Sequence, residues 1–377
     1  MKQLRQPSNV LNNSVKSPVP SLRQFCCYAI ARSLFTPTTL PRAIARLGFV
    51  QADPMRAPAR AQDLILMHRV KGYRAGELER RYPRLAVEEA FFVNYGFLPR
   101  ETLALLYPRA APRSWDLRMQ AHTEELLAFV RQQGRTYLKD VQAHFNHGRI
   151  RRWGADLNAS THLMEGLHYR GLLRVERREN GTRVYQTIDH LPHDDSPESP
   201  LARAGQLLDI VVRLYAPLPA ASLNYLCGLL RYGVPHLAGE VRQLQEHAKS
   251  RYAHAQVDGV LWFWPQGENP TAARHQVDDA LRFFAPFDPL VWDRRRFQLL
   301  WGWEYKFEAY VPAHKRRMGH YALPMLWGEK MLGWANLKVV GGKLQHEIGF
   351  AGTRPRGRAL QRALDQALQR MHEFLEL

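Results

Sequence analysis

Asn180-Gly181 constrains the fold of this chain more than any other pair, because both residues accept the positive φ that a two-residue hairpin turn demands. Leu172 to Glu176 before the turn and Arg183 to Ile188 after it read as strands, so a β-hairpin is expected there. Three helical stretches precede it: Trp115 to Gln133, Tyr137 to Phe145, and Asn158 to Arg170, the last with Leu163 and Leu167 on its buried face and Gly171 at its stop. Three helices closed by a hairpin make a winged helix. The order returns after His193 to Pro200, an acidic, Pro-rich stretch that reads as a linker. Helical patterns cover Leu201 to Tyr215, Ala220 to Leu230 and His236 to Ser250, and Tyr252 to Val257, Asp258-Gly259 and Val260 to Trp264 form the next hairpin.

The regions outside these two units are less regular. Helices over Ser21 to Leu34, Leu40 to Leu47 and Ala57 to Val70, with an extended piece at Phe49 to Ala52, give a divergent first copy. Beyond Leu281, aromatic and β-branched residues punctuated by Gly and Pro predict strands at Phe307 to Val311, Tyr321 to Leu326, Met331 to Val340 and Lys343 to Phe350, and an amphipathic helix from Arg356 to Leu377. The expected architecture is therefore α+β: a disordered lead-in over 1–20, winged-helix units over 21–113, 114–192 and 201–280, and a small antiparallel β-barrel with a terminal helix over 281–377.

A net charge of +18 points to a polyanionic partner, since each neutralised phosphate releases condensed counterions. Of the 53 basic residues ten are Lys, and the Arg majority suits bidentate phosphate and guanine contacts. Arg174, Arg177, Arg178 and Arg183 lie on the hairpin, where phosphate contact and plain solvation are both open. Arg294-Arg295-Arg296 and Lys315-Arg316-Arg317 lie at apparent turns beside aromatic strands, where they can reach a duplex. Cys26, Cys27 and Cys227 cannot form a disulfide framework, and the longest apolar run, Leu207 to Leu230, is broken by Asp209, Arg213, Pro217 and Pro219. A cytoplasmic protein that spans no membrane is expected. The 16 histidines form no HExxH-type array, pairs such as His144/His147 lack further ligands nearby, and the Gly residues build no P-loop or dinucleotide fingerprint, so neither metal nor cofactor is expected. Glu88-Glu89, taken as helical, would face different ways and make no acid/base pair.

The candidate chemistry sits at Gln51-Ala52-Asp53, where the apolar run Leu47 to Val50 breaks into Asp53-Pro54. In an extended segment residues two apart point the same way. An amide would then hold a water or sugar oxygen beside a carboxylate whose unperturbed pKa is about 3.9, ready to take a proton. The same residues also suit a helix start, with Asp53 as N-cap and Pro54 at the first helical position, and spacing leaves both open.

Phe49 to Leu64 resembles the motif region of the winged-helix DNA glycosylases of the AlkZ/AlkX (YcaQ-like) type, and Ala285-Pro286-Phe287-Asp288-Pro289-Leu290-Val291-Trp292-Asp293-Arg294-Arg295 is similar to that family's carboxy-terminal signature. The likeness continues through Tyr310 to Arg317 and covers the chain from about Ser21 onwards. It implies three tandem winged helices around a basic channel, with catalysis by a Gln-x-Gln or Gln-x-Asp pair. Gln51 and Asp53 fall in the Gln-x-Asp branch, whose members unhook interstrand crosslinks. One departure is Phe92-Val93-Asn94-Tyr95-Gly96-Phe97, where many relatives carry Trp-Ala-His-Glu-Ala-Ser, so that Asn94 stands in as the hydrogen-bonding group.

The implied activity is monofunctional hydrolysis of the N-glycosidic bond of N7-alkylated guanine by a monomer acting on double-stranded, nucleoid DNA. Asp53 and Gln51 would be catalytic, and Arg56, Arg60, Asn94, Tyr95, Arg177, Arg294, Arg295, Arg296, Lys315, Arg316 and Arg317 would bind DNA. The rival is a non-catalytic winged-helix DNA-binding regulator, in which Asp53 caps a helix and the basic clusters hold phosphate.

Overall fold

The computed structural model describes residues 19–109, 115–145, 147–152, 155–188 and 199–377. The lead-in up to residue 18 and linker residues 193–198 lie outside them. Three successive units repeat one topology. In the first, helix Leu40–Leu47 leads into strand Val50–Gln51, helices Ala61–Leu66 and Glu77–Arg81 follow, and strands Val87–Phe91 and Tyr95–Pro99 close it. The second has helix Leu117–Gln133, strand Thr136–Tyr137, helices Leu138–His144 and Ala159–Tyr169, and hairpin Leu173–Glu179 with Thr182–Thr187; the third has helix Pro200–Tyr215, strand Leu218–Pro219, helices Ala220–Gly233 and Ala238–Glu246, and hairpin Ala253–Val257 with Val260–Trp264. In each unit the short strand pairs antiparallel with the last strand of the hairpin, giving a three-stranded sheet of one order. The turn chemistry is as read: Asn180 and Gly181 have φ of 51° and 88°, and Asp258 and Gly259 of 48° and 74°.

Several expectations are corrected. A second hairpin, Arg149–Arg152 with Ala155–Asn158, is inserted in the second unit, its pattern too short and too basic to read as strand. Glu88-Glu89 lies in a strand, not a helix. The stretch from Phe307 to Val311 is a turn rather than a strand, because the Glu308 carboxylate accepts the backbone N–H groups of Arg317, Met318 and Gly319 at 2.9, 2.7 and 3.2 Å and folds 308–319 into a loop. Arg294-Arg295-Arg296 begins helix Arg294–Trp301, with Asp293 as N-cap accepting from the Arg296 N–H at 3.1 Å. In place of a closed barrel, the described strands Leu281–Phe283, Leu323–Trp327, Lys330–Val340 and Lys343–Phe350 form an open antiparallel meander in chain order. Four strands are too few to wrap a filled interior. Helix Arg358–Leu375 lies against the first of them, with Arg370 donating to the Leu281 carbonyl at 2.7 Å.

The first helix, Leu22–Ser33, departs furthest from its expected place. Its buried Phe25, Tyr28, Ala29 and Ile30 join Trp262, Trp264, Phe284, Leu290 and Phe297 in a core separate from the one that fills the first unit. Arg69 ties these parts together. It is fully buried, pairs with the equally buried Asp288 at 2.8 and 3.0 Å, and donates to the Ser33 carbonyl and hydroxyl at 3.0 and 2.7 Å. Asp288, in the middle of the carboxy-terminal signature, is thus a structural anchor. No helix among the described residues is long and apolar enough to cross a membrane.

Candidate active site

Gln51 is placed by its strand. It lies opposite Gly96 in the ladder, and a Cβ at Gly96 would sit 2.3 Å from the Val50 carbonyl oxygen and 2.5 Å from the Phe49 ring, so a glycine is what lets the two strands pair here. Val50 is buried on one face and Gln51 is half-buried on the other. Ala52 continues the ladder by donating to the Tyr95 carbonyl at 3.0 Å. Extending the register one step further sets Asp53 against Asn94, in the turn of the hairpin that joins Val87–Phe91 to Tyr95–Pro99. The strand itself ends at Gln51, the ladder bond of Ala52 carries it one residue further, and Asp53 follows beyond it.

Asp53 does not cap a helix: the next one begins at Ala61, with Arg60 as its N-cap. One Asp53 carboxylate oxygen accepts from the Met55 N–H at 2.9 Å, and the Asp53 N–H donates to the Gln62 side-chain carbonyl at 3.3 Å. Burial raises the carboxyl above its ordinary range, and the Met55 bond pulls the other way. Among the described residues the Gln51 side-chain oxygen, the Asn94 side-chain nitrogen and the Tyr321 hydroxyl are buried without a hydrogen-bond partner. Tyr321 belongs with Asp53 electrostatically: burial first, and then the negative charge of Asp53, push its phenol well above the usual range. Phe287 and Phe307 pack edge-on against its ring, with centroids 6.5 and 5.6 Å away.

The expected DNA contacts divide sharply. Arg56, Arg295, Lys315 and Arg317 are exposed, and Tyr310, beside the last two on the Glu308 loop, is 88% exposed. Arg316 is half-buried and donates to the Val311 carbonyl at 2.7 Å. Arg177 pairs with Glu179 at 2.7 Å and stays partly exposed. Arg294 is half-buried, bonded to the Val291 carbonyl and stacked over Tyr305 at 4.5 Å.

Three candidates are drawn inward. Arg60 is buried in an ion pair with Glu79, under Gly181 at the hairpin turn, where a Cβ would collide with the guanidinium at 1.9 Å. Tyr95 donates its hydroxyl to Glu89 at 2.8 Å. Arg296 is buried against the carbonyls of Pro217, Ala216 and Pro289 at 2.8, 3.3 and 3.2 Å, and burial lowers it to about 10. Two hairpin arginines likewise face the first unit. Arg174 holds Glu88 at 2.7 Å, and Arg178 grips both oxygens of the buried Glu89 at 2.7 Å each. Their spacing reads the same in sequence as that of free surface charge; only the partner strand decides it.

A family model for DNA glycosylases of the AlkZ-like kind matches residues 44–374, and so takes in Gln51, Asp53, Asn94 and Tyr321 together. The chain belongs to the AlkZ-like DNA glycosylase family. Its activity is accordingly that of a DNA glycosylase, with DNA as substrate. Among solved structures its fold is similar to that of the Streptomyces sahachiroi DNA glycosylase AlkZ, with a TM-score of 0.63 at 14% sequence identity over 95% of this chain and 97% of that one. The AlkZ-like match spans both regions in which the sequence resemblance was found, the Gln51–Asp53 motif and the Asp288 signature.

Proposed function

We propose that this AlkZ-like glycosylase hydrolyses the N-glycosidic bond of N7-alkylated guanine, crosslinked guanine included, with Asp53 as the catalytic carboxylate and Gln51 holding the attacking water. The supporting observation is a half-buried carboxylate accompanied by three unpaired polar groups, on Gln51, Asn94 and Tyr321. Buried polar atoms without partners are costly in a folded protein and concentrate where a substrate completes their hydrogen bonds.

Alkylation at N7 makes the base cationic and a good leaving group, so a strong general acid is not required. What remains is to stabilise an oxocarbenium-like sugar and deliver water to C1′. An ionised Asp53 attracts that charge by about 4 kcal/mol at 4 Å and an effective dielectric of 20, and accepts the water's proton. The arrangement corresponds to one half of an inverting glycosidase. Asn94 and Tyr321 are suited to hold the sugar or the departing base.

We read the three helix-and-hairpin units as winged helices and the exposed Arg56, Arg295, Lys315 and Arg317 as the phosphate-binding set. N7 faces the major groove, so a crosslinked base that cannot swing out of the duplex stays within reach. The nearest lysine along the chain from the motif, Lys71, is exposed, which supports water rather than an amine as nucleophile. A monomer working on the nucleoid, in the cytoplasm, fits this reading.

The test uses a duplex with one guanine N7 to guanine N7 crosslink, incubated with the parent or with Asp53→Asn and run on a denaturing gel. Strand separation and abasic sites with the parent alone are expected. Equal single-turnover rates would remove Asp53 from the mechanism, borohydride trapping of a protein–DNA adduct would overturn the monofunctional assignment, and binding without product would move the substrate to another lesion.

A further inference from the structure

The second unit holds a cluster that the glycosylase chemistry does not use. Helix Leu117–Gln133 presents His122 and Glu125 one turn apart, and the segment after helix Leu138–His144 brings His147 onto them. The His122 and His147 rings are 4.5 Å apart between centroids, a Glu125 carboxylate oxygen lies 3.6 Å from His122 Nδ1, and one ligating atom from each residue falls within 4.8 Å of the others. The sequence paired His144 with His147, but His144 stacks on Phe129, and it is His122 from the preceding helix that meets His147.

Hydrogen bonding singles out this cluster as a ligand set. His147 Nδ1 is fixed 3.0 Å from the hydroxyl of the fully buried Ser160, which leaves Nε2 buried and without a hydrogen-bond partner among the described residues. Both ring nitrogens of His122 are likewise buried and unpartnered. Phe145 stacks on the His147 ring at 4.8 Å and 13° and fixes its plane. A histidine with one nitrogen held by a hydroxyl or carbonyl and the other free toward a second imidazole and a carboxylate has the outer support that metal-bound histidines show.

We propose that His122, Glu125 and His147 form a binding site for one divalent transition-metal ion of the zinc class, with a fourth position left to water. Two imidazoles and one carboxylate are a donor set of that class. A tetrahedral ion with bonds of about 2.0–2.1 Å holds its ligand atoms roughly 3.3 Å apart, so a modest side-chain adjustment closes the site. Its place in the fold gives it a role: the ion clips helix Leu117–Gln133 to the segment that enters the inserted hairpin Arg149–Arg152/Ala155–Asn158, whose Arg149 and Arg151 are exposed. The ion would thereby hold a basic finger in position, independently of the chemistry assigned to Asp53.

The test is titration of chelator-stripped, full-length protein with ZnCl2 by calorimetry, together with thermal melts with and without zinc. One equivalent per chain and a zinc-dependent rise in melting temperature are expected in the parent. Both should be lost in Glu125→Gln, whose exposed side chain makes misfolding no explanation, and in His122→Gln/His147→Ala. Ser160→Ala should weaken binding by about tenfold or more, as loss of a supporting hydrogen bond does, and His346→Ala on the distant sheet should leave it unchanged. No saturable uptake by the parent, or uptake that survives the double substitution, would overturn the site.

Discussion

At the scale of single residues, the half-buried Asp53 carries a cost to stability. Its carboxyl is raised above the ordinary 3.8 by burial, so the folded state disfavours the charge and ionisation destabilises the fold as pH rises through that raised value. Asp53→Asn removes that penalty. The melting temperature at pH 7 should stay level or rise while the single-turnover rate falls by on the order of a hundredfold; a variant that loses stability and activity together would instead mark Asp53 as structural. The parent's rate should also show an acid limb centred above 3.8, absent in the variant. Asn94→Ala and Tyr321→Phe each remove one group free to bond the reacting sugar or base, so each should slow the reaction by about three- to tenfold with DNA affinity unchanged. A matching loss of affinity would place these groups on binding rather than on the reacting centre. Gln51 and Asp53 stood out in the sequence because an amide and a carboxylate two apart in an extended segment would share a face. Tyr321 did not: it sits in a run of aromatic and apolar residues where nothing distinguishes an ordinary buried ring from one that feels the charge of a carboxylate distant in sequence.

At the scale of elements, the Asn180-Gly181 and Asp258-Gly259 hairpins and most of the longer helices followed from periodicity and turn chemistry, because those signals are local, whereas hairpins Val87–Phe91/Tyr95–Pro99 and Arg149–Arg152/Ala155–Asn158 did not. The destinations of side chains depend on what packs against them, and sequence showed neither the inward turn of Arg60, Tyr95 and Arg296 nor the ion pairs that Arg174 and Arg178 make with Glu88 and Glu89. The difference can be measured. Arg178→Ala leaves Glu89, a fully buried carboxylate, without its two-pronged partner, and should destabilise the protein by about 3–5 kcal/mol in urea melts. A loss under about 1 kcal/mol would mean that the contact between the first two units does not rest on this pair. Lys315→Ala and Arg317→Ala, on the exposed loop, should leave stability within about 0.5 kcal/mol and lower the salt slope of DNA binding by roughly 0.9 each. Unchanged slopes would detach that loop from the DNA surface. The Asp293 cap was readable in principle, since an acidic residue directly ahead of the basic run is a helix-start signal.

For the whole molecule, two histidines, the buried His168 and the half-buried His68, shape the response to acid. Burial lowers His68 and His168 to about 4, against 6.5 for a free side chain, and the Nε2 of each faces a backbone carbonyl, of Phe283 at 2.7 Å and Glu89 at 2.9 Å. Between those values the unfolded chain binds protons that the folded one refuses, so their contribution is complete above pH 6.5 and lost as pH falls toward 4. The melting temperature should drop through that window, and His168→Gln should flatten the drop; an unchanged slope would assign acid sensitivity to other groups. The tandem units were visible as repeats, whereas the docking of helix Leu22–Ser33 onto residues near 290 was not, since long-range pairing leaves no local pattern. That docking bears on synthesis. Arg69 emerges from the ribosome 219 residues before Asp288, which at 5–20 residues per second is a wait of about 10 to 40 s with an interior cation uncompensated. The first unit therefore gains its buried ion pair only after Asp288 has been made, and a ribosome stalled before that residue would hold a nascent protein with this interior cation unpaired.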